Sequence, residues 1–286
     1  MFFFSCFAGR SGVVNPPLDL GCDLLSKKSF FHTLNYVGGE LSTNHIDIIF
    51  YYLRKKRQLL NITKSNFSTT DTIFSQVLHA EYHSFLTSGL AEIKVCAGNT
   101  ILEYYLGKGC RYGKTLVDDL LFPVIVLDPN HWILARVNFE ECKVYVYNSM
   151  RDETMDATVA SYMKCFSDYL PKYLKKFDFY SMRNSQASFA LCSSFDSRYN
   201  PFTVVNVADL PIQSNSDCGA FVCLFAEYFI DSKPIPPTFS GHKMELYRNW
   251  LTQDLVKYGR WKIEKGYSSN AEGTVKLRRE LRKKKT

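Results

Sequence analysis

The stretch Gln213–Ile230 constrains the fold most: it is apolar at nearly every position from Ala220 onward, with Glu227 its only charge in that run. A bilayer crossing takes about 20 apolar residues, so this run is too short to span one. A helix apolar on all sides is a buried helix. The pattern therefore predicts a central helix over 217–230, which the rest of the chain must cover. Ser216 or Asp217 is the expected N-cap. Cys218 then falls in the first turn, where unpaired backbone N–H groups and the positive end of the helix dipole favour a thiolate. Cys223, further along the same helix, reads as a small apolar core residue. Gly219 permits a close approach by a neighbouring segment. Gln213 carries an amide that can donate to a developing oxyanion. Cys218 is thus a candidate nucleophile, with Gln213 as its candidate oxyanion donor.

The segments that must cover this helix are also legible. Residues 1–38 carry Gly, Pro and Ser without a sustained period, and read as a loop-rich N-terminal extension. Ser42 opens a helix to about Leu60, with Ile46, Ile49, Phe50 and Leu53 at helical spacing. Asp71 opens a second helix ending near Gly89, with Ile73, Val77, Leu78, Tyr82, Phe85 and Leu86 as its expected apolar stripe. His79 and His83 lie four apart on it. With no third ligand evident, they read as a surface or half-buried pair rather than a metal site. Strands follow over 120–127, 131–139 and 142–147. After them come a helix over 156–175 in which Pro171 marks a kink or a break, a short strand over 202–207, the central helix, and a last helix over 243–258. Helices, then strands, then helices argue α+β rather than alternating α/β.

The middle strands make a geometric point. With Glu140-Glu141 between them they form an antiparallel hairpin, and paired positions sum to 281. His131 then faces Met150 and Asn148 faces Ile133. His131 and Asn148 become diagonal neighbours on one face, with Cβ atoms about 7–8 Å apart or less. An amide oxygen there can accept from the ring N–H and fix the imidazole tautomer.

Charge excludes one class of function. The chain carries +7, but residues 276–285 hold seven basic residues and one acid, so the body carries only +1. A nucleic-acid enzyme is expected to carry its positive charge on the body. The basic tail over 261–286 reads instead as a disordered address or a patch for acidic partners. Nine scattered cysteines without a CxxC pair point to neither a disulfide framework nor a zinc ribbon, and suit a reducing compartment. No signal peptide or membrane span is read. The expected location is intracellular, in the nucleus or cytoplasm.

His131-Trp132, Asn148-Ser149-Met150 and Gln213 with Asp217-Cys218-Gly219 together resemble the ubiquitin-like-protein-specific (SUMO, or sentrin) proteases, relatives of the adenovirus protease. Leu41–Lys55 resembles their first conserved helix. The wording Tyr145–Met150 is closest to plant members, including transposon-borne ones. The likeness covers about residues 38–258, with the catalytic domain expected over 39–260. It implies the adenain-like, papain-like α+β fold, a mixed sheet packed on helices, and peptide-bond or isopeptide cleavage after the diglycine of a SUMO-like modifier. It also implies roles: Cys218 as nucleophile, His131 as base, Asn148 as orienting residue, Gln213 in the oxyanion hole, and Trp132 as a wall of the substrate tunnel. No cofactor or metal is implied, and a monomer is expected, with no specific nucleic acid or membrane partner. Three positions depart from the family's habit. Asn148 stands where Asp is usual, Glu40 stands where Trp is usual, and Gln213 lies about one residue nearer the cysteine. Two alternatives use the same residues: a catalytically silent module that binds a ubiquitin-like protein, and an acyltransferase.

Overall fold

The computed structural model describes residues 12–60, 66–88, 117–176, 178–184, 195–239 and 241–267. In chain order the elements are β1 (Val13–Asp19), β2 (Leu24–Lys27), α1 (Lys28–Asn35), α2 (Thr43–Leu60), β3 (Phe67–Thr69) and α3 (Thr72–Thr87). They continue with β4 (Asp119–Val126), β5 (His131–Asn138), β6 (Lys143–Tyr147) and α4 (Glu153–Lys164). A π turn (Cys165–Tyr169) leads to α5 (Leu170–Lys176), α6 (Phe179–Asn184), a 3-10 turn (Phe195–Tyr199), β7 (Thr203–Asn206), α7 (Cys218–Ile230) and α8 (Gly241–Lys265).

The main sheet runs β3-β4-β5-β6-β7 and is mixed: the outer pairs are parallel and the inner pairs antiparallel. The β5–β6 register is the expected one, from Leu134 opposite Tyr147 to Asn138 opposite Lys143. Its alternation sorts two cores. Trp132, Leu134 and Tyr147 face α2, α7 and α8. Ile133, Ala135, Val137, Val144 and Val146 face the other way, onto α3 and the α4–α6 region. Helix α7 lies in the first core, with Ala220–Ala226 buried throughout, as its all-round apolar sequence requires.

Around Pro171 the middle helix is irregular, with a π turn just before it, and this irregularity has a structural use. Proline has no N–H for the carbonyl four residues back, at Ser167. That carbonyl instead accepts from Phe202 N at 3.0 Å, and Ser167 Oγ donates to Phe202 O at 2.9 Å. The helix widens into the π turn just before the proline, and the bond to Phe202 fixes the chain immediately before β7.

Three expectations need correction. Residues 13–35 are not loop: β1 and β2 pair antiparallel with an irregularity, and α1 follows. Leu18, Leu20, Leu25, Phe30, Phe31 and Leu34 are buried in the α7 core, so hydrophobic burial orders a segment whose prolines hide its period. In α3 the buried face holds Phe74, Leu78 and Phe85, while Ile73 (61%) and Leu86 (49%) are exposed. Helix α8 is also longer than expected at both ends, so 261–265 of the expected tail is helical. The basic run 276–285 lies outside the described residues. Among the described residues no helix is long and apolar enough to cross a membrane.

Candidate active site

Cys218 is the first residue of α7, and its side chain is partly exposed. His131 opens β5 and is 1% exposed; Asn148 follows β6 and is 3% exposed. The hairpin register delivers both to the end of the sheet under which α7 begins. A cleft of about 680 Å³ opens there, lined by Cys218, His131, Trp132, Gln213, Glu40 and Leu41 among others.

The hydrogen bonds determine the histidine tautomer. Asn148 Oδ1 accepts from the backbone N–H of Met150 at 3.0 Å, so the atom facing that donor is the amide oxygen. The same oxygen lies 2.8 Å from His131 Nε2, which therefore carries the hydrogen and donates. The proton-free nitrogen of neutral His131 is then Nδ1. Asn148 Nδ2 is buried without a hydrogen-bond partner, so the amide is held through its oxygen alone.

Burial pushes the Cys218 thiol up from its ordinary value of 9.0; backbone N–H groups of Trp132, Gly219 and Cys218 itself pull it down, and the nearby Glu40 charge adds a further rise. Burial pushes the His131 imidazole below its ordinary 6.5, against the bond it donates to Asn148 and the charge of the Asp152 carboxylate. Burial thus works against charge on both groups. A proton must move when the thiol attacks, and the His131 tautomer has the lone pair to receive it.

Gln213 is fixed at both ends of its amide. Ser149 Oγ donates to Oε1 at 2.7 Å, Nε2 donates to Asn215 O at 3.0 Å, and the Gln213 backbone N–H donates to Ser149 O at 2.8 Å. One Nε2 hydrogen is committed to Asn215, and an amide nitrogen carries two. Trp132 is 6% exposed, and its indole donates to Leu41 O at 3.1 Å. That bond ties the start of β5 to the segment before α2.

The start of α7 differs from expectation in its cap. Asp217 occupies the N-cap but makes no side-chain cap bond. Its Oδ1 turns inward to accept from Gly38 N at 2.9 Å and from Arg248 Nη1 at 2.6 Å. Ser42 likewise directs its hydroxyl to His45 Nδ1 at 2.7 Å. Gly219 meets its expected requirement: a Cβ there would lie 2.9 Å from Leu41 Cβ and 3.3 Å from Ile46 Cδ1. His79 and His83 lie apart from the site, on a separate groove between α3 and α4.

A thiol, an imidazole whose Nδ1 keeps its lone pair, and a fixed amide lining one cleft support acyl transfer through sulfur, and this mixed sheet on a buried helix is a cysteine-peptidase fold. The sequence pattern of the Ulp1 protease family, C-terminal catalytic domain, matches residues 112–258. The chain belongs to that family, and His131, Asn148, Gln213 and Cys218 all fall within the match. A sentrin-specific protease of Caenorhabditis elegans is 24% identical over 144 residues, which is 49% of this chain and 18% of that protein. The chain thus spans under a fifth of that curated relative's length. Among solved structures, the SUMO protease Ulp1 with its catalytic cysteine oxidised to a sulfinic acid aligns with a TM-score of 0.51 at 15% identity, over 89% of this chain and 92% of that one. A de-sumoylating protease aligns with a TM-score of 0.50 at 14% identity, over 88% and 96%. At these identities the likeness carries the fold.

Proposed function

We propose that the chain is a cysteine protease that cleaves after the C-terminal diglycine of a SUMO-like modifier, releasing a lysine side chain or a precursor tail. The observation that carries this reading is the His131–Asn148 bond, which leaves Nδ1 unprotonated on a residue that lines the same cleft as Cys218. As the Cys218 sulfur attacks the scissile carbonyl, its proton passes to His131 Nδ1. The carbonyl oxygen becomes an oxyanion, received by the Cys218 backbone N–H and the second hydrogen of Gln213 Nε2. Asn148 Oδ1 holds the imidazolium through Nε2–H. His131 then protonates the leaving amine, and a thioester to Cys218 remains. Water, deprotonated by His131, hydrolyses the thioester and restores the thiol. Trp132 forms one wall of the substrate channel, pinned by its bond to Leu41 O.

We read the modifier as SUMO-like from the relatives' own descriptions, and the plant-like wording of 145–150 as a kinship with plant members. The nucleus is the proposed address, and the body works as a monomer. A panel of diglycine vinyl-sulfone probes built on different ubiquitin-like modifiers tests the reading. The expected result is covalent labelling at Cys218 by a SUMO-type probe, lost in Cys218→Ala. Binding of a modifier without labelling or turnover would favour the silent module instead.

A further inference from the structure

Arg248 lies on α8 and is fully buried. Its guanidinium reaches three separate parts of the chain. Nε donates to Leu34 O at 2.9 Å, and Nη2 donates to Thr33 O at 2.9 Å and Gly39 O at 2.7 Å. Nη1 donates to Asp217 Oδ1 at 2.6 Å, and that same oxygen accepts from Gly38 N. The turn is closed tightly around this fork: a Cβ on Gly39 would lie 2.7 Å from Thr33 O, 2.9 Å from Tyr36 O and 3.0 Å from Arg248 Nη2. Only a planar, five-donor group fits such a set of acceptors.

Buried ion pairs add little net stability compared with an apolar core, but they fix geometry. The geometry fixed here concerns the site. Asp217 immediately precedes Cys218. Gly39 immediately precedes Glu40 and Leu41, which line the cleft, and Leu41 O holds the Trp132 indole. We propose that Arg248 is a positioning residue for Cys218: it locks the first turn of α7 to the 33–39 segment, so that nucleophile and cleft wall are held as one body. Residues 33–39 precede the 112–258 stretch that matches the family, so the clamp makes a segment outside that match part of the working site. The inference rests on the reading of Cys218 as nucleophile.

The test compares Arg248→Lys, Arg248→Met and Asp217→Asn with Leu255→Ala, a buried residue on the same helix away from the clamp. Four quantities are measured: kcat and KM on a fluorogenic diglycine substrate, melting temperature, and the rate of iodoacetamide alkylation of the Cys218 peptide by mass spectrometry. Arg248→Lys keeps the charge and loses the fork. It is expected to lower kcat at least tenfold with KM within threefold, and to slow Cys218 alkylation at least threefold. The charged and titratable groups facing the thiol are Glu40 from the cleft wall, His131 from β5 with Asp152 beyond it, and Arg248 from α8. Their charges are unchanged in Arg248→Lys, so slower alkylation would report position. Asp217→Asn, which keeps an acceptor oxygen, should move the same quantities less. Leu255→Ala should lower the melting temperature while leaving kcat and alkylation within twofold.

The inference is overturned if folded Arg248→Lys keeps both kcat and alkylation, or if Leu255→Ala loses kcat to the same degree. Should neither Arg248 variant fold, flat readings for Asp217→Asn overturn it. Should the parent turn over no substrate, the proposed function fails, while alkylation still decides the positioning role.

Discussion

Replacing Asn148 probes the chemistry most directly, because one oxygen does two jobs. Oδ1 accepts from His131 Nε2 at 2.8 Å and from Met150 N at 3.0 Å, at a residue only 3% exposed. Asn148→Ala leaves both donors buried without that acceptor. An unsatisfied buried donor costs about 1–3 kcal/mol, and the freed ring can turn or change tautomer. Losing about 1.4–2.7 kcal/mol of transition-state stabilisation corresponds to a tenfold to hundredfold fall in rate. Asn148→Asp keeps the accepting oxygen and replaces the partnerless Nδ2 with a second oxygen. Its charge strengthens the bond to an imidazolium by about 1 kcal/mol over a neutral bond, near fivefold in rate. Burying the carboxylate offsets part of this, so the expected rate is held or raised by up to about fivefold. His131 should also titrate at higher pH. The assay is release of a fluorescent group from a modifier C-terminus, beside Cys218→Ala, with NMR titration of His131. Asn148→Asp as inactive as Cys218→Ala, yet folded, would refute the orienting role.

Three further outcomes follow from the same geometry. Gly219→Ala pushes a methyl to 2.9 Å from Leu41 Cβ, and is expected to cost about 1–3 kcal/mol in denaturant unfolding and to lower kcat by displacing the wall that holds Trp132. Glu40→Gln removes a charge that raises the Cys218 thiol, so the pH profile of alkylation should shift to lower pH; an unchanged profile would show that the carboxylate does not reach the sulfur. His45 and His131 are both buried and held below their ordinary 6.5. The unfolded chain therefore binds protons that the folded chain refuses, so stability is full above about pH 6.5 and declines as pH falls toward the folded values. Melting temperatures across pH 5 to 8 check the sign, and a rise on acidification would contradict it.

The parts legible in the sequence were those set by local pattern. The register of β5 and β6 follows from the strand lengths and the Glu140-Glu141 turn, and it places His131 near Asn148 without knowledge of anything distant. The buried character of α7 follows from its composition. What stayed hidden depends on partners remote in sequence. Arg248 falls inside the last helix read from the sequence with nothing to single it out, and only the folded chain shows its four acceptors. Asp217 reads as an N-cap because the residue type suits that role, but Arg248 and Gly38 N compete for its carboxylate and win it. Residues 13–35 have mixed local signals, with Pro16 and Pro17 inside β1. Their order comes from burying Leu18, Leu25, Phe30 and Phe31 against other elements.

In the proposed mechanism Asn148 stands where a carboxylate is the habit of the resembled family. A carboxylate helps most when the resting enzyme holds a thiolate–imidazolium pair, since it stabilises the cation throughout the cycle. Burial raises the Cys218 thiol and lowers the His131 imidazole, and both shifts work against such a pair before substrate binds. Two requirements remain for the third residue: it must fix the tautomer and hold the ring. An amide oxygen anchored by Met150 N meets both. Charge stabilisation then falls to the backbone N–H groups around the sulfur and to the start of α7. Those donors act only if the helix start is held in place, which returns the burden to Asp217 and Arg248. On this view the neutral triad and the buried clamp are complementary, and a double variant, Asn148→Asp with Arg248→Lys, should recover little of the activity lost in Arg248→Lys alone. Full recovery, measured as kcat on the same fluorogenic substrate, would mean that the charge at position 148 substitutes for the positioning of Cys218.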